Sequence, residues 1–128
     1  MIDHVGLTVS DFKRSRAFYD AALKPLNLAA VAEVTPEQSG GGAHVGYGQD
    51  DRAFFWLGSG ERVSRPMHIA FNAEHRAEVD AFYAAAIAAG GRDNGAPGPR
   101  PYYHPDYYGA FVLDPDGVNV EAVCRRPA

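Results

Sequence analysis

Three side chains of types that bind metal ions stand at related places in this 128-residue chain. His4 and His68 lie 64 residues apart, and Glu121 lies within an apolar segment near the end of the chain. A carboxylate is costly to bury unless it is paired or bound to a cation. Two imidazoles and one carboxylate also leave open coordination positions, as in non-haem Fe(II) oxygenases. These residues predict a site for one divalent ion, which could be Fe, Mn, Ni, Co or Zn.

The same three residues also allow a purely structural interpretation. A single histidine on a strand is more often a hydrogen-bonded structural residue than a ligand, and the chain has many arginines with which Glu121 could pair. The equivalent placement of His4 and His68 favours metal binding, but both interpretations stay open at this point.

A repeat positions these residues. The offset of 64 residues that relates the two histidines also relates Phe18-Tyr19 to Phe82-Tyr83. Each copy opens with the alternation of a half-buried strand and continues with a helical pattern. We therefore predict a single α+β domain, residues 1–128, built from two β-α-β-β-β modules of about residues 1–62 and 63–128.

The helices and strands of the two modules follow from local signals. The first helix is predicted from Ser10 or Asp11 to Leu23, and the second from about His75 to Ala89, where Gly90-Gly91 supplies the stop. The remaining strands are predicted at Ala29–Val34, Ala43–Gly48, Ala53–Leu57, Tyr108–Leu113 and Val118–Cys124, with a less certain one before Pro97.

Composition narrows the classes of function. The formal net charge is −4, without the clustered positive charge that nucleic-acid or membrane-surface binding requires. The longest apolar run, Ala81 to Ala89, is too short for a membrane span. The single cysteine, Cys124, cannot form an internal disulfide, and the first residues lack the basic stretch and apolar core of a secretory signal. We expect a cytoplasmic protein that binds a small molecule, with no nucleic-acid or membrane partner.

The motifs together resemble a known superfamily. A histidine opens each module, and the turn Asp114-Pro115-Asp116-Gly117 precedes Glu121 by four residues. In these features the chain resembles the vicinal oxygen chelate superfamily, which includes glyoxalase I, extradiol dioxygenases and metal-free bleomycin-binding proteins. The resemblance implies a cupped, mostly antiparallel sheet, a homodimer, and metal ligands His4, His68 and Glu121. The substrate would bind through adjacent oxygen atoms.

The number of ligands bears on the type of reaction. Glyoxalase I enzymes have a second carboxylate at the position that corresponds to Glu121 in the first module. Here that position is Leu57 or Trp56, and neither is an acid. The resulting three-ligand pattern resembles extradiol dioxygenases more closely than it resembles glyoxalase I.

The extradiol resemblance suggests further site residues. It places His104 as the acid/base or orienting residue and Phe111 where those enzymes have a tyrosine. Tyr107 or Tyr108 is therefore a candidate to supply the missing phenol. Because the segment 95–109 is rich in proline and tyrosine, it is either a lid over the cavity or a rigid connection that packs on the sheet.

The pocket and the function can be stated as expectations. Trp56, Tyr103 and Phe111 are the predicted pocket residues. The leading function is a metal-dependent enzyme, and the alternatives are a metal-free protein that sequesters a small molecule and a glyoxalase I-like lyase. The sequence leaves open whether one chain holds the complete site or two copies share it.

Overall fold

The computed structural model describes residues 2–60 and 67–128. The predicted boundary between the modules, near residues 62 and 63, lies outside these described residues. The first module contains β1 (Val5–Val9), α1 (Phe12–Leu23), a 3-10 turn (Lys24–Leu26), β2 (Ala29–Val34), α2 (Pro36–Ser39), β3 (His44–Gln49) and β4 (Arg52–Ser59). The second contains β5 (His68–Asn72), α3 (Arg76–Ala88), β6 (Arg92–Pro99), β7 (Tyr108–Leu113) and β8 (Asn119–Cys124). The predicted α+β fold with two β-α-β-β-β modules is confirmed.

Local chemistry accounts for most element boundaries. Asp11 caps α1, because its carboxylate accepts a hydrogen bond of 3.0 Å from the Arg14 backbone N–H. The short helix α2 was not predicted, although its capping box between Thr35 and Gln38 is visible in the sequence. Within the described ranges, no helix has the length and apolar character needed to cross a membrane.

The strands form two four-stranded sheets, with the orders β1-β4-β3-β2 and β5-β8-β7-β6. In each sheet the first pair is parallel and the other two pairs are antiparallel. The strand predicted only tentatively before Pro97 is β6, which continues through that proline to Pro99. Because β6 is an edge strand, the missing N–H of a proline can be tolerated there.

Both modules contribute to one hydrophobic core. The helices and one face of each sheet pack together, and the rings of Phe55 and Phe71 meet edge to face across the modules, with centroids 5.1 Å apart. The opposite faces of β1 and β5, which carry Gly6 and Ala70, are exposed. The largest fully buried side chains are Tyr19, Tyr47, Phe18, Phe55, Phe82 and Leu7.

The predicted turn at residues 114–117 joins the second module to the first. Asp114 is buried, and its Oδ1 accepts the backbone N–H groups of Asp116 and Val118, each at 2.8 Å. Its Oδ2 accepts the hydroxyl proton of Tyr19 on α1 at 2.7 Å. Asp116 accepts the backbone N–H of Ser10, at the end of β1, at 3.0 Å. Burial raises the pKa of the Asp114 carboxyl, and the three hydrogen bonds to its charged form offset part of that rise.

The Tyr19 hydroxyl can be tested by removing it. We expect Tyr19→Phe to lower the free energy of unfolding by about 1.5–3 kcal/mol, because a buried carboxylate loses a charge-assisted hydrogen bond. The midpoint of urea denaturation measures this change. The matched control is Tyr83→Phe, at the repeat-equivalent position on α3, where the hydroxyl bonds Asp93 at the surface. An equal loss in both variants would show that the buried contact is not special.

Candidate functional site

His68 and Glu121 meet on neighbouring strands of the second sheet. His68 Nε2 lies 3.1 Å from Glu121 Oε2, and His68 Nδ1 lies 3.2 Å from the backbone carbonyl oxygen of Asn119. Glu121 is 2% exposed, whereas the side chain of His68 is 49% exposed. The carboxylate therefore lies at the base of the site and the imidazole at its opening.

The hydrogen-bond partners of His68 do not suit a neutral imidazole. Both ring nitrogens face acceptor oxygens, but a neutral histidine donates from only one nitrogen. If Nδ1–H donates to the Asn119 carbonyl, the Nε2 lone pair points at the Glu121 carboxylate. Two acceptors at this distance need a proton or a cation between them. Donation of Nδ1–H to a backbone carbonyl is also how metal-binding histidines are usually oriented.

Of the two candidate phenols, the structure places Tyr107 at this pair. Its hydroxyl donates a short hydrogen bond to Glu121 Oε1, and burial, followed by that bond, raises the pKa of Tyr107 to about 12. The Tyr108 hydroxyl instead donates to Asp80 of α3 at 2.7 Å, and this bond is the main cause of its raised pKa. Tyr108 thus contacts the helix on the core side of the sheet.

A cavity of about 300 Å³ opens above the pair, and we call it the Glu121 cavity. Two predicted pocket residues line it, because Phe111 stacks on His68 with ring centroids 6.1 Å apart and Tyr103 stands at its edge. Arg125, which was not among the predicted site residues, also lines it. Its signal was the strand alternation, since Arg125 lies four residues beyond Glu121 and so continues the same face of β8.

His104 lies in the turn that leads to Tyr107. Its Nδ1 accepts the backbone N–H of Asp106 at 3.1 Å, and its carbonyl accepts the N–H of Tyr107 at 3.0 Å. The described residues that line the Glu121 cavity do not include His104. An acid/base role for His104 therefore stays a prediction from sequence, while its visible contacts shape the turn.

The first sheet carries a second candidate face, around His4 and Trp56. These two residues line a cavity of about 660 Å³ together with His44, which was not among the predicted site residues. The indole of Trp56 lies over Gly46, where a Cβ atom would come within 2.9 Å of the ring. The His44 ring lies over Gly58 in the same way. Glycine therefore leaves room for two flat rings on this face.

The strand registers identify the counterpart of Glu121 in the first module. Gly6 pairs with Trp56, and Ala70, at the same repeat position as Gly6, pairs with Glu121. Trp56, rather than Leu57, is therefore the residue that occupies the place of the carboxylate. The first face offers an indole where the second offers an acid.

His4 lies apart from His68 and Glu121. Ser10, at the end of β1, is bound to the turn before β8, which begins beside His68. His4 stands at the other end of β1, six residues or roughly 20 Å of extended chain from Ser10. Its Nδ1 contacts Asp3 at 2.8 Å. Within residues 2–60 and 67–128, no three His, Cys, Asp or Glu side chains are grouped so that they could hold a metal ion.

One chain therefore provides part of the predicted ligand set. His68 and Glu121 fit a metal ion by their donor atoms and by the unmatched acceptors between them. The third predicted ligand, His4, is not grouped with these two within the described residues of one chain.

Comparisons with known proteins agree with this fold. The family model of the glyoxalase/bleomycin resistance protein/dioxygenase superfamily matches residues 1–122. No curated protein matches at a significant level.

Solved structures of similar proteins cover nearly the whole chain. A glyoxalase/bleomycin resistance protein from Albidiferax ferrireducens is 29% identical, with a TM-score of 0.79, and the match covers 98% of this chain and 99% of that one. A glyoxalase I mutant from Zea mays is 24% identical, with a TM-score of 0.73, over 95% of this chain and 46% of that one. A mutant of the fosfomycin resistance protein FosX from Listeria monocytogenes, complexed with Mn(II) and a dihydroxypropylphosphonic acid, is 18% identical, with a TM-score of 0.68. The match covers 95% of this chain and 90% of that one.

The close fit of the indole over Gly46 gives a test of the first face. We expect Gly46→Ala to displace the Trp56 ring, to shift its fluorescence emission and to lower the free energy of unfolding by about 1–3 kcal/mol through overpacking. Trp56 is the only tryptophan, so the emission reports on this site alone. Gly6→Ala is the control, because its Cβ would stand an ordinary 3.8 Å from Trp56. Unchanged emission in Gly46→Ala would contradict the described packing.

Proposed function

Because the chain belongs to the glyoxalase/bleomycin resistance protein/dioxygenase superfamily, we propose that it is a divalent-metal-dependent enzyme whose small substrate binds through adjacent oxygen atoms. One observation carries the proposal: His68 Nε2 and Glu121 Oε2 converge to 3.1 Å, while the other nitrogen of His68 already faces a carbonyl oxygen. A cation relieves the clash between these acceptors. The Mn(II) complex of the fosfomycin resistance neighbour agrees with a metal in this fold.

His68 and Glu121 of one copy and His4 of a second copy would hold the ion. The metal would supply Lewis-acid stabilisation of the negative charge that develops on the substrate oxygens. Tyr107 keeps Glu121 oriented by donating to Oε1, which leaves Oε2 on the side of the imidazole. The Asn119 carbonyl holds the ring of His68 in place.

Two features support a site shared between copies. In one chain, His4 stands at the far end of β1 from the contact between Ser10 and Asp116, and within the described residues it is not grouped with His68 and Glu121. In addition, β1 and β5 each lie at an edge of their sheets, and an exposed edge is a place where a second chain can pair. A homodimer that brings β1 of one copy beside β5 of the other would complete the ligand set.

The alternatives rest on other observations. A protonated His68 would donate to both Asn119 and Glu121, and together with Tyr107 it would satisfy the site without metal, as a metal-free binding protein requires. The four-ligand lyase of the glyoxalase I type is less well supported, since Trp56 stands in the place of the second carboxylate.

Metal content distinguishes the metal-dependent enzyme from the metal-free binding protein. We expect about one divalent ion per chain after anaerobic reconstitution, measured by elemental analysis, and its loss in His68→Ala and Glu121→Gln, since each variant removes a ligand. His75→Ala is the matched control, because this exposed histidine precedes α3 and makes no side-chain capping bond. A wild-type protein that stays metal-free after reconstitution would favour the sequestering protein.

Mixed dimers test whether the site is shared. Neither His4→Ala nor Glu121→Gln should bind metal alone, but a purified pair of one copy of each should regain one site. That site combines the intact His4 of one copy with the intact His68 and Glu121 of the other. The control is a pair of two wild-type copies. If the mixed pair binds no metal while this control does, the ligands are not divided between copies in this way.

A further inference from the structure

One guanidinium group lines the Glu121 cavity, and a second lies over the ring of Phe111, one of the lining residues. Arg125 lines the cavity, with Cζ 4.9 Å from the centroid of the Tyr107 ring, and Arg100 Cζ lies 5.7 Å from the centroid of Phe111. Neither arginine takes part in any ion pair formed within the described residues. In a protein with a formal net charge of −4, this is a local concentration of positive charge.

Arg100 is held in place by the backbone of β6. Its Nη2 donates to the carbonyl of Ala96 at 2.8 Å, and its Nη1 donates weakly to Pro99 at 3.4 Å. Gly95 and Gly98 leave space for the guanidinium group. A Cβ atom would stand 3.4 Å from Nη2 at Gly95 and 3.1 Å from Nη1 at Gly98. Arg100 is therefore held by the chain beside Phe111, and the described residues that line the Glu121 cavity do not include it.

The wall of the cavity is aromatic. Phe111 and His68 lie nearly parallel, at an interplanar angle of 29°. Tyr103 lies 5.1 Å from Tyr107 between ring centroids, and it is 59% exposed although it is a large ring beside a cavity. Exposed aromatic surface next to a concave site is typical of ligand binding.

Glu121 is the one acid among the described residues that line the cavity. It is buried at the base, where Oε1 accepts from Tyr107 and Oε2 faces His68. Arg125, which forms no ion pair within the described residues, stays available for an anion that enters from solvent. The volume of about 300 Å³ is at the lower end for ligand pockets, which favours a small molecule.

We propose that the Glu121 cavity binds planar aromatic carboxylates. The ring would lie against Phe111 and Tyr103, and the carboxylate would accept hydrogen bonds from Arg125, since a guanidinium matches a carboxylate bidentately. This inference rests on the proposed function, because it names the substrate class of the same site. An aromatic amine would meet a like charge, and an aliphatic acid would leave the aromatic wall without a partner.

Calorimetric titration of the full-length protein with three probes tests the charge and the ring separately. The probes are benzoate, its neutral analogue benzamide, and cyclohexanecarboxylate, which keeps the charge and loses the planar ring. We expect benzoate to bind about tenfold or more tightly than either analogue, as the loss of a charged hydrogen bond or of ring stacking predicts. Equal binding of benzamide or of cyclohexanecarboxylate would overturn the proposal.

Variants assign the effect to Arg125. Arg125→Met, which keeps an apolar stem, should weaken the binding of benzoate by about tenfold. Arg125→Lys should retain part of the affinity, because it keeps the charge and loses the planar fork. Arg126→Met is the matched control, since the neighbouring Arg126 lines a different cavity. Unchanged benzoate affinity in Arg125→Met would overturn the proposal.

Parallel titrations with metal-loaded and chelator-treated protein separate this inference from the proposed function. Benzoate binding by protein that never retains metal would support the aromatic-carboxylate site and reject the metalloenzyme. Metal retention without any benzoate binding would reject the aromatic-carboxylate site and leave the metalloenzyme standing.

Discussion

The buried carboxylate of Asp114 holds the two modules in one relative orientation, and the placement of the candidate site residues depends on that orientation. It accepts the Tyr19 hydroxyl of α1 together with two backbone N–H groups of its own turn. The next acid of the turn, Asp116, binds Ser10 at the end of β1. Because hydrogen bonds to a buried charge are directional and costly to lose, this joint sets the end of β1 beside the start of β8. His4, at the other end of β1, consequently lies away from Glu121.

Two buried carboxylates, seven residues apart, are satisfied in different ways. Asp114 receives three hydrogen bonds from donors that belong to the fold, and these offset part of the rise in its pKa that burial causes. Glu121 receives one donor, from Tyr107, and its second oxygen meets a histidine whose other nitrogen also faces an acceptor. The first carboxylate is therefore structural. Glu121 therefore lacks a positively charged partner, which is typical of a residue that binds a cation or a ligand.

The duplicated modules have kept their backbone plan while their exposed faces have diverged. At equivalent registers the first sheet carries Trp56 and the second carries Glu121. Gly46 and Gly58 let flat rings lie on the first face, whereas the second face is charged and aromatic, with Phe111 beside its ion-pairing groups. If two copies meet as proposed, a largely aromatic face of one copy and a charged face of the other would enclose one site. Two identical modules could not provide two different faces.

The sequence by itself determined the two modules, most of the strands and the kinds of donor atom at the site. Strands Ala29–Val34 and Tyr108–Leu113 were predicted at their observed bounds, because alternation and turn chemistry are local properties. Only the tertiary structure decided which groups meet. Arg125 lines the cavity because it continues the face of β8 one residue beyond the last paired residue. His4 lies away from His68 because the modules pack through the contact between Tyr19 and Asp114, which are distant in sequence. No local pattern encodes that packing, since it depends on how two complete modules bury their surfaces against each other.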